Sequence, residues 1–164
     1  MKKFILIAGI CASLSYAQNA PLPTQIPNFN LPDLKGIGHT QTEFANKPVL
    51  VDFWATWCLS CIHTIPFIKK MNEQYGPQGL QVIGISIDKK SDKLVKFTEK
   101  NGMNYLQLWD KESSLAKVLD FTAVPSLFLF DASGKLVLAI KGYDEKGESE
   151  ILKAIQNIYP DSVK

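Results

Sequence analysis

Two thiols three residues apart, in Trp57-Cys58-Leu59-Ser60-Cys61, are the side chains of this 164-residue chain best suited to chemistry. They follow the apolar run Pro48-Val49-Leu50-Val51-Asp52-Phe53-Trp54-Ala55, which reads as a buried strand, and so lie at a strand-to-helix junction. Residues three apart in a helix are neighbours on one face, close enough for the Cα separation of roughly 4.4 to 6.8 Å that a disulfide needs. A helix start also offers unpaired N–H groups and a partial positive charge, which favour a thiolate over a thiol. Cysteine reacts as the thiolate, so Cys58 is the candidate nucleophile. Cys61 is the resolving partner, the less accessible of the two sulfurs.

The bland alternative is a zinc site. Structural zinc takes four Cys or His ligands, and beyond the leader the chain offers only Cys58, Cys61, His39 and His63. The histidines are scattered, and His63, two residues beyond Cys61, points to the other side of the helix. Redox use of the pair is the better reading, and it calls for no cofactor and no metal. Asp52 also stands out, in the middle of an apolar strand. A buried, unpaired carboxylate shifts its pKa and tends toward the neutral form, which makes a functional role for Asp52 the natural suspicion. A half-exposed carboxylate, or one paired with a lysine, is the structural alternative.

These residues need an exported, folded scaffold. Residues 1–17 combine Lys2 and Lys3, an apolar stretch and a Ser15-Tyr16-Ala17 cleavage site, the pattern of a secretory signal peptide. Its apolar core is short of the ~20 residues that span a bilayer, so an uncleaved membrane anchor is the weaker alternative. Cys11 is discarded with this signal, and the expected location is the periplasm or another extracytoplasmic space. Removing 17 of 164 residues leaves 147, the size of one domain. The formal charge of +2 equals the contribution of Lys2 and Lys3, so the exported chain is balanced and nothing points to nucleic acid. Residues 18–27 read as a linker and residues 28–160 as the domain.

Within the domain, Phe29, Leu31 and Leu34 alternate with turn formers and predict a short hairpin, followed by a helical turn at 42–45. Strands are expected at 48–54, 80–87, 105–108, 126–131 and 135–141, the last two joined by the turn Asp131-Ala132-Ser133-Gly134. Helices are expected at 59–75, with Ile62, Ile65, Phe67, Ile68 and Met71 on the apolar face and Pro66 inside, and at about 91–100. A small helix capped by Ser113 or Ser114 follows, and a last one carries Ile151, Ile155 and Ile158 inward. The order describes an α/β fold, a central mixed β-sheet with helices on both sides.

Val51-Asp52-Phe53-Trp54-Ala55-Thr56-Trp57-Cys58-x-x-Cys61, with Val124-Pro125-Ser126 before a Phe-Leu-Phe strand and Asp131-x-x-Gly134, resembles the thioredoxin superfamily. Pro27-x-Phe29-x-Leu31-Pro32-Asp33 ahead of it is similar to the exported TlpA/ResA-type thiol-disulfide oxidoreductases. The resemblance implies a thioredoxin-like fold with an N-terminal β-hairpin extension. It also implies a cis Pro125 facing the cysteines, with Val124 presenting backbone groups to substrate, and Asp52 behind Cys61 as proton relay. Trp57 is expected either as an apolar rim for the substrate or as a packed aromatic. Pro66 and Gly142 match structural positions of the family. Ser60 and Thr64 depart from it, since ResA-like relatives often carry Pro and Glu there, and both changes bear on thiolate stability.

The implied activity is exchange of the Cys58–Cys61 dithiol with substrate proteins through mixed disulfides. The expected direction is reduction, as in cytochrome c maturation, with a membrane thiol-reducing partner supplying electrons. A disulfide-forming oxidant is the nearest alternative. A copper chaperone on the same fold is weaker, because the spacer is two residues and no histidine follows His63. A peroxidase is disfavoured because Pro-x-x-x-Thr-x-x-Cys is absent before Cys58.

Overall fold

The computed structural model describes residues 22–142 and 144–160. Its elements run β1 (Asn30–Pro32), β2 (Gly38–Thr40), a 3-10 turn (Gln41–Phe44), β3 (Val49–Trp54), α1 (Leu59–Tyr75), β4 (Gln81–Ser86), α2 (Leu94–Lys100), β5 (Leu106–Trp109), α3 (Ser114–Val118), β6 (Ser126–Phe130), β7 (Leu136–Lys141) and α4 (Glu145–Ile158). The expected signal at residues 1–17, with Cys11, lies outside the described residues. Among those described, no helix is long and apolar enough to cross a membrane.

β3 occupies the middle of a five-stranded sheet ordered β5-β4-β3-β6-β7. It pairs in parallel with β4 and antiparallel with β6, and all six of its residues are buried. Alternation along a strand sends successive side chains to opposite faces. Val49, Val51 and Phe53 join Ile83, Ile85, Phe128 and Phe130 in a core closed by α3 and the β1–β2 hairpin. Leu50 and Trp54 join the other core, which contains Cys58, Cys61, Ile65, Ile68 and Met71 of the α1 segment together with Leu94, Ile151 and Ile155. Asp52 lies between Leu50 and Trp54 in that alternation, so it shares the face covered by α1. The expected mixed sheet, its flanking helices and the N-terminal hairpin are all present.

The differences from expectation are local. The buried line of α1 is Cys61, Thr64, Ile65, Ile68, Met71 and Tyr75, so the helix is rotated relative to the expected face and Ile62 is left 41% exposed. Burial of Ile65, Ile68 and Met71 stabilises this packing by roughly 1.5–3 kcal/mol each. α2 starts at Leu94, later than expected, with Phe97 stacked on Trp54 at 5.0 Å between ring centroids. The N-terminus of α3 is satisfied by Asp110, whose carboxylate accepts from the Ser114 and Leu115 amides, both at 2.9 Å, rather than by Ser113 or Ser114. The segment expected as a linker is bound to the domain from Thr24. The Thr24 carbonyl accepts from Leu136 N, and Ile26 N donates to the Gly134 carbonyl.

Candidate active site

Cys58 caps α1. Its backbone is extended (φ −89°, ψ 100°), and its Sγ accepts the N–H of Cys61 at 3.1 Å, satisfying one of the amides that a helix start leaves without a partner. The two sulfurs are joined as a disulfide with a Cα separation of 5.3 Å. Both are buried, Cys58 at 5% exposure and Cys61 at 0%, with Cys61 on the buried line of α1 and Cys58 at the N-cap. The Ser60 hydroxyl lies 3.4 Å from Cys58 Sγ, placed to donate to a thiolate once the disulfide is reduced. Together with the start of a 17-residue helix, these groups favour charge on Cys58. Thr64 turns into the core and donates its hydroxyl to the Cys61 carbonyl at 2.9 Å.

Asp52 is fully buried. Tyr105, which immediately precedes β5, donates its hydroxyl to Asp52 Oδ2 at 3.2 Å, and Oδ1 has no hydrogen-bond partner. Asp52 is therefore not half-exposed, and among the described residues no lysine pairs with its carboxylate. Burial pushes its pKa up to about 7, and the bond from Tyr105 offsets part of that rise. Tyr105 itself is held well above the ordinary tyrosine value by burial and by the neighbouring Asp52 charge.

The Val124–Pro125 bond is cis, and the Val124 carbonyl oxygen lies 3.5 Å from Cys58 Sγ. Two hydrogen bonds hold this loop. Gly142, at φ +101° where a side chain would be strained, donates its N–H to the Pro125 carbonyl, and Ser126 donates its hydroxyl to Ala123. Pro125 is buried and Val124 half-buried. On the other side, Trp57 is 65% exposed and is therefore not a packed aromatic. Leu59 (79%) and Ile62, next to the two cysteines in the chain, are exposed as well. His63 is exposed on α1.

Three features around the cysteines, involving four residues, are not apparent from the sequence. Tyr105 reads as an ordinary strand residue, and 53 positions separate it from Asp52. Asp88 anchors the residue before Trp57, its carboxylate accepting from the Thr56 amide at 2.8 Å and the Thr56 hydroxyl at 2.7 Å. Leu59 and Ile62 are the third case. Ile62 is one residue past Cys61, about 100° around the helix from it, and that offset is the available signal.

Residues 23–139 match the model of the AhpC/TSA family. The thiol-disulfide oxidoreductase ResA of Geobacillus thermodenitrificans is 28% identical over 134 residues, covering 82% of this chain and 76% of the relative. ResA of Bacillus thuringiensis strain Al Hakam is 27% identical over 147 residues, 90% of this chain and 83% of the relative. Among solved structures, a putative thiol:disulfide interchange protein DsbE from Chlorobium tepidum superposes with a TM-score of 0.78 at 24% identity, covering 84% of this chain and 99% of that one.

Proposed function

The chain belongs to the AhpC/TSA family, and within it we propose a thiol-disulfide oxidoreductase that exchanges its Cys58–Cys61 pair with cysteines of exported proteins, working as a reductant. One observation carries this reading. A disulfide sits at the start of α1 with one sulfur at the N-cap and the other fully buried one turn further along. The ResA relatives, named thiol-disulfide oxidoreductases, support the same class. Neither cysteine follows a Pro-x-x-x-Thr-x-x arrangement, so peroxide chemistry has no matching site.

In the reducing direction the Cys58 thiolate attacks one sulfur of a substrate disulfide. That S–S bond breaks, the other substrate sulfur leaves as a thiolate, and a mixed disulfide joins Cys58 to the substrate. Cys61 passes its proton to Asp52 and attacks Cys58 Sγ, which expels the second substrate thiolate and restores the Cys58–Cys61 disulfide. Two electrons move to the substrate. A carboxyl with a pKa of about 7 can accept and release a proton near neutral pH, the condition for efficient relay. Trp57, Leu59 and Ile62, with the Val124–Pro125 loop opposite, form the substrate platform, contacting an extended chain through its backbone with little demand on sequence.

The direction follows the ResA-type resemblance, with apocytochrome c as an example of substrate and a membrane thiol-reducing partner regenerating the dithiol outside the cytoplasm. Equilibration of the pair with glutathione buffers tests it. A reductant gives a potential near the roughly −270 mV of thioredoxin or below, and a value near about −120 mV would make the protein an oxidant instead.

A further inference from the structure

Beside Trp57 the surface falls into two adjoining hollows that share Thr56, Trp57 and Lys93. The first, of about 370 Å³, is walled by Trp57 and by Lys93, Lys96 and Lys100, with Phe97 also in its lining. The second, of about 430 Å³, adds Lys89, Lys90, Asp88 and Asp92. Five lysines therefore face two aspartates. Asp88 is 6% exposed, and its carboxylate is taken up by the Thr56 amide and hydroxyl and by the Ser86 hydroxyl. Asp92 is left as the one exposed acid of the lining. Glu99, also on α2, does not line either hollow.

Lys93 at the N-cap of α2 and Lys96 and Lys100 within it recur at helical spacing, and none of them is held in an ion pair among the described residues. Lys89 is the one anchored member, donating to the Lys111 carbonyl at 2.9 Å. Beyond residue 17 the chain has no net charge, so the excess here is a local segregation rather than a property of the whole molecule.

We propose that this trough receives an acidic segment of the substrate polypeptide, close in sequence to the cysteines being exchanged. The inference rests on the exchange reading above and names the substrate class for that site. The trough abuts Trp57, the residue before Cys58, so a chain engaged at the sulfur has neighbouring residues within its reach. Ammonium groups of one sign lining one surface set up a potential that gathers anionic chains and raises association rates, an effect that salt screens. Lysines act as mobile point charges without the fixed fork of arginine, which suits a site that reads backbone and tolerates varied sequences. Its position beside Trp57, the residue before Cys58, makes a chain already engaged at the reactive sulfur the favoured occupant over an anionic bilayer.

The test uses three synthetic peptides with the same internal disulfide, flanked by Glu, Gln or Lys pairs, reduced by the dithiol protein at low and at high salt. The expected order of second-order rate constants is Glu, then Gln, then Lys, with roughly tenfold between the extremes at low salt and little difference at high salt. The triple variant Lys93→Gln/Lys96→Gln/Lys100→Gln brings the Glu-flanked peptide down to the level of the Gln-flanked one. Lys135→Gln/Lys146→Gln/Lys153→Gln, with the same change of net charge elsewhere, keeps the order. Equal rates for the three peptides, or equal flattening by both triple variants, would overturn the proposal. Turnover of the Gln-flanked peptide tests the exchange reading separately. Calorimetric affinities of the same peptides decide the trough even where nothing is turned over.

Discussion

Asp52 holds its carboxyl in the interior with Oδ2 bonded to Tyr105 and Oδ1 without a partner. Because the folded carboxyl binds its proton more tightly than an unfolded one, the linked stability is fully present below about pH 4 and is lost as the pH rises to about 7. The whole effect is on the order of 4 kcal/mol. Asp52→Asn keeps an acceptor for Tyr105 and removes the titration. Guanidine unfolding of the oxidised protein should therefore show wild-type stability falling across that window and a flat profile for the variant, which becomes the more stable form at pH 8. Tyr105→Phe takes away the bond that lowers the Asp52 pKa, so the inflection moves to higher pH; an unmoved inflection would mean that Tyr105 does not act on this group. Asp52 was legible because a carboxylate in a wholly apolar strand is anomalous, and Cys58 and Cys61 because spacing and helix onset define their chemistry locally. Tyr105 was not, since its role exists only once β5 is laid beside β4 in the sheet that β3 centres.

That sheet depends on a close approach at one element. Gly84 of β4 pairs with Asp52 of β3, and a Cβ at Gly84 would meet Gln107 Oε1 at 2.2 Å. The glycine gives Gln107 room to accept from Trp54 Nε1 at 3.0 Å and to donate to the Tyr105 carbonyl at 3.2 Å, tying β5 to the strand that carries Asp52. Gly84→Ala displaces that amide and leaves the buried indole N–H unpaired, so a loss of about 1–3 kcal/mol in denaturant unfolding is expected. A neutral result would show that Gln107 can yield at no cost. Strand and helix order were readable from periodicity, and α1 was placed at its observed bounds. Its rotation departs from the apolar periodicity because Thr64 fills a core position by bonding back to the Cys61 carbonyl, while Ile62, more hydrophobic, is left exposed. Tertiary packing, rather than hydrophobicity alone, chose the face.

Across the whole molecule, the fold gathers residues that are far apart in the chain. β3 carries Asp52 on the face that α1 covers, the helix start carries Cys58 and Cys61, the loop before β6 brings the Val124 carbonyl to Cys58, and Lys96 and Lys100 of α2 line the hollow beside Trp57. The cis loop was foreseen through family resemblance alone, since spacing says nothing about which X-Pro bond is cis. The charge segregation was hidden by a balanced total. These parts act as one device only if Cys58 initiates exchange and Cys61 completes it. The most direct measurement incubates the reduced Cys58→Ser and Cys61→Ser variants with a disulfide-bonded protein substrate and resolves the products on non-reducing gels and by mass spectrometry. Cys61→Ser should accumulate a mixed disulfide through Cys58 that thiols release, and Cys58→Ser should form none and catalyse no exchange. Catalysis by Cys58→Ser, or no trapped complex with Cys61→Ser, would contradict the assigned order of attack.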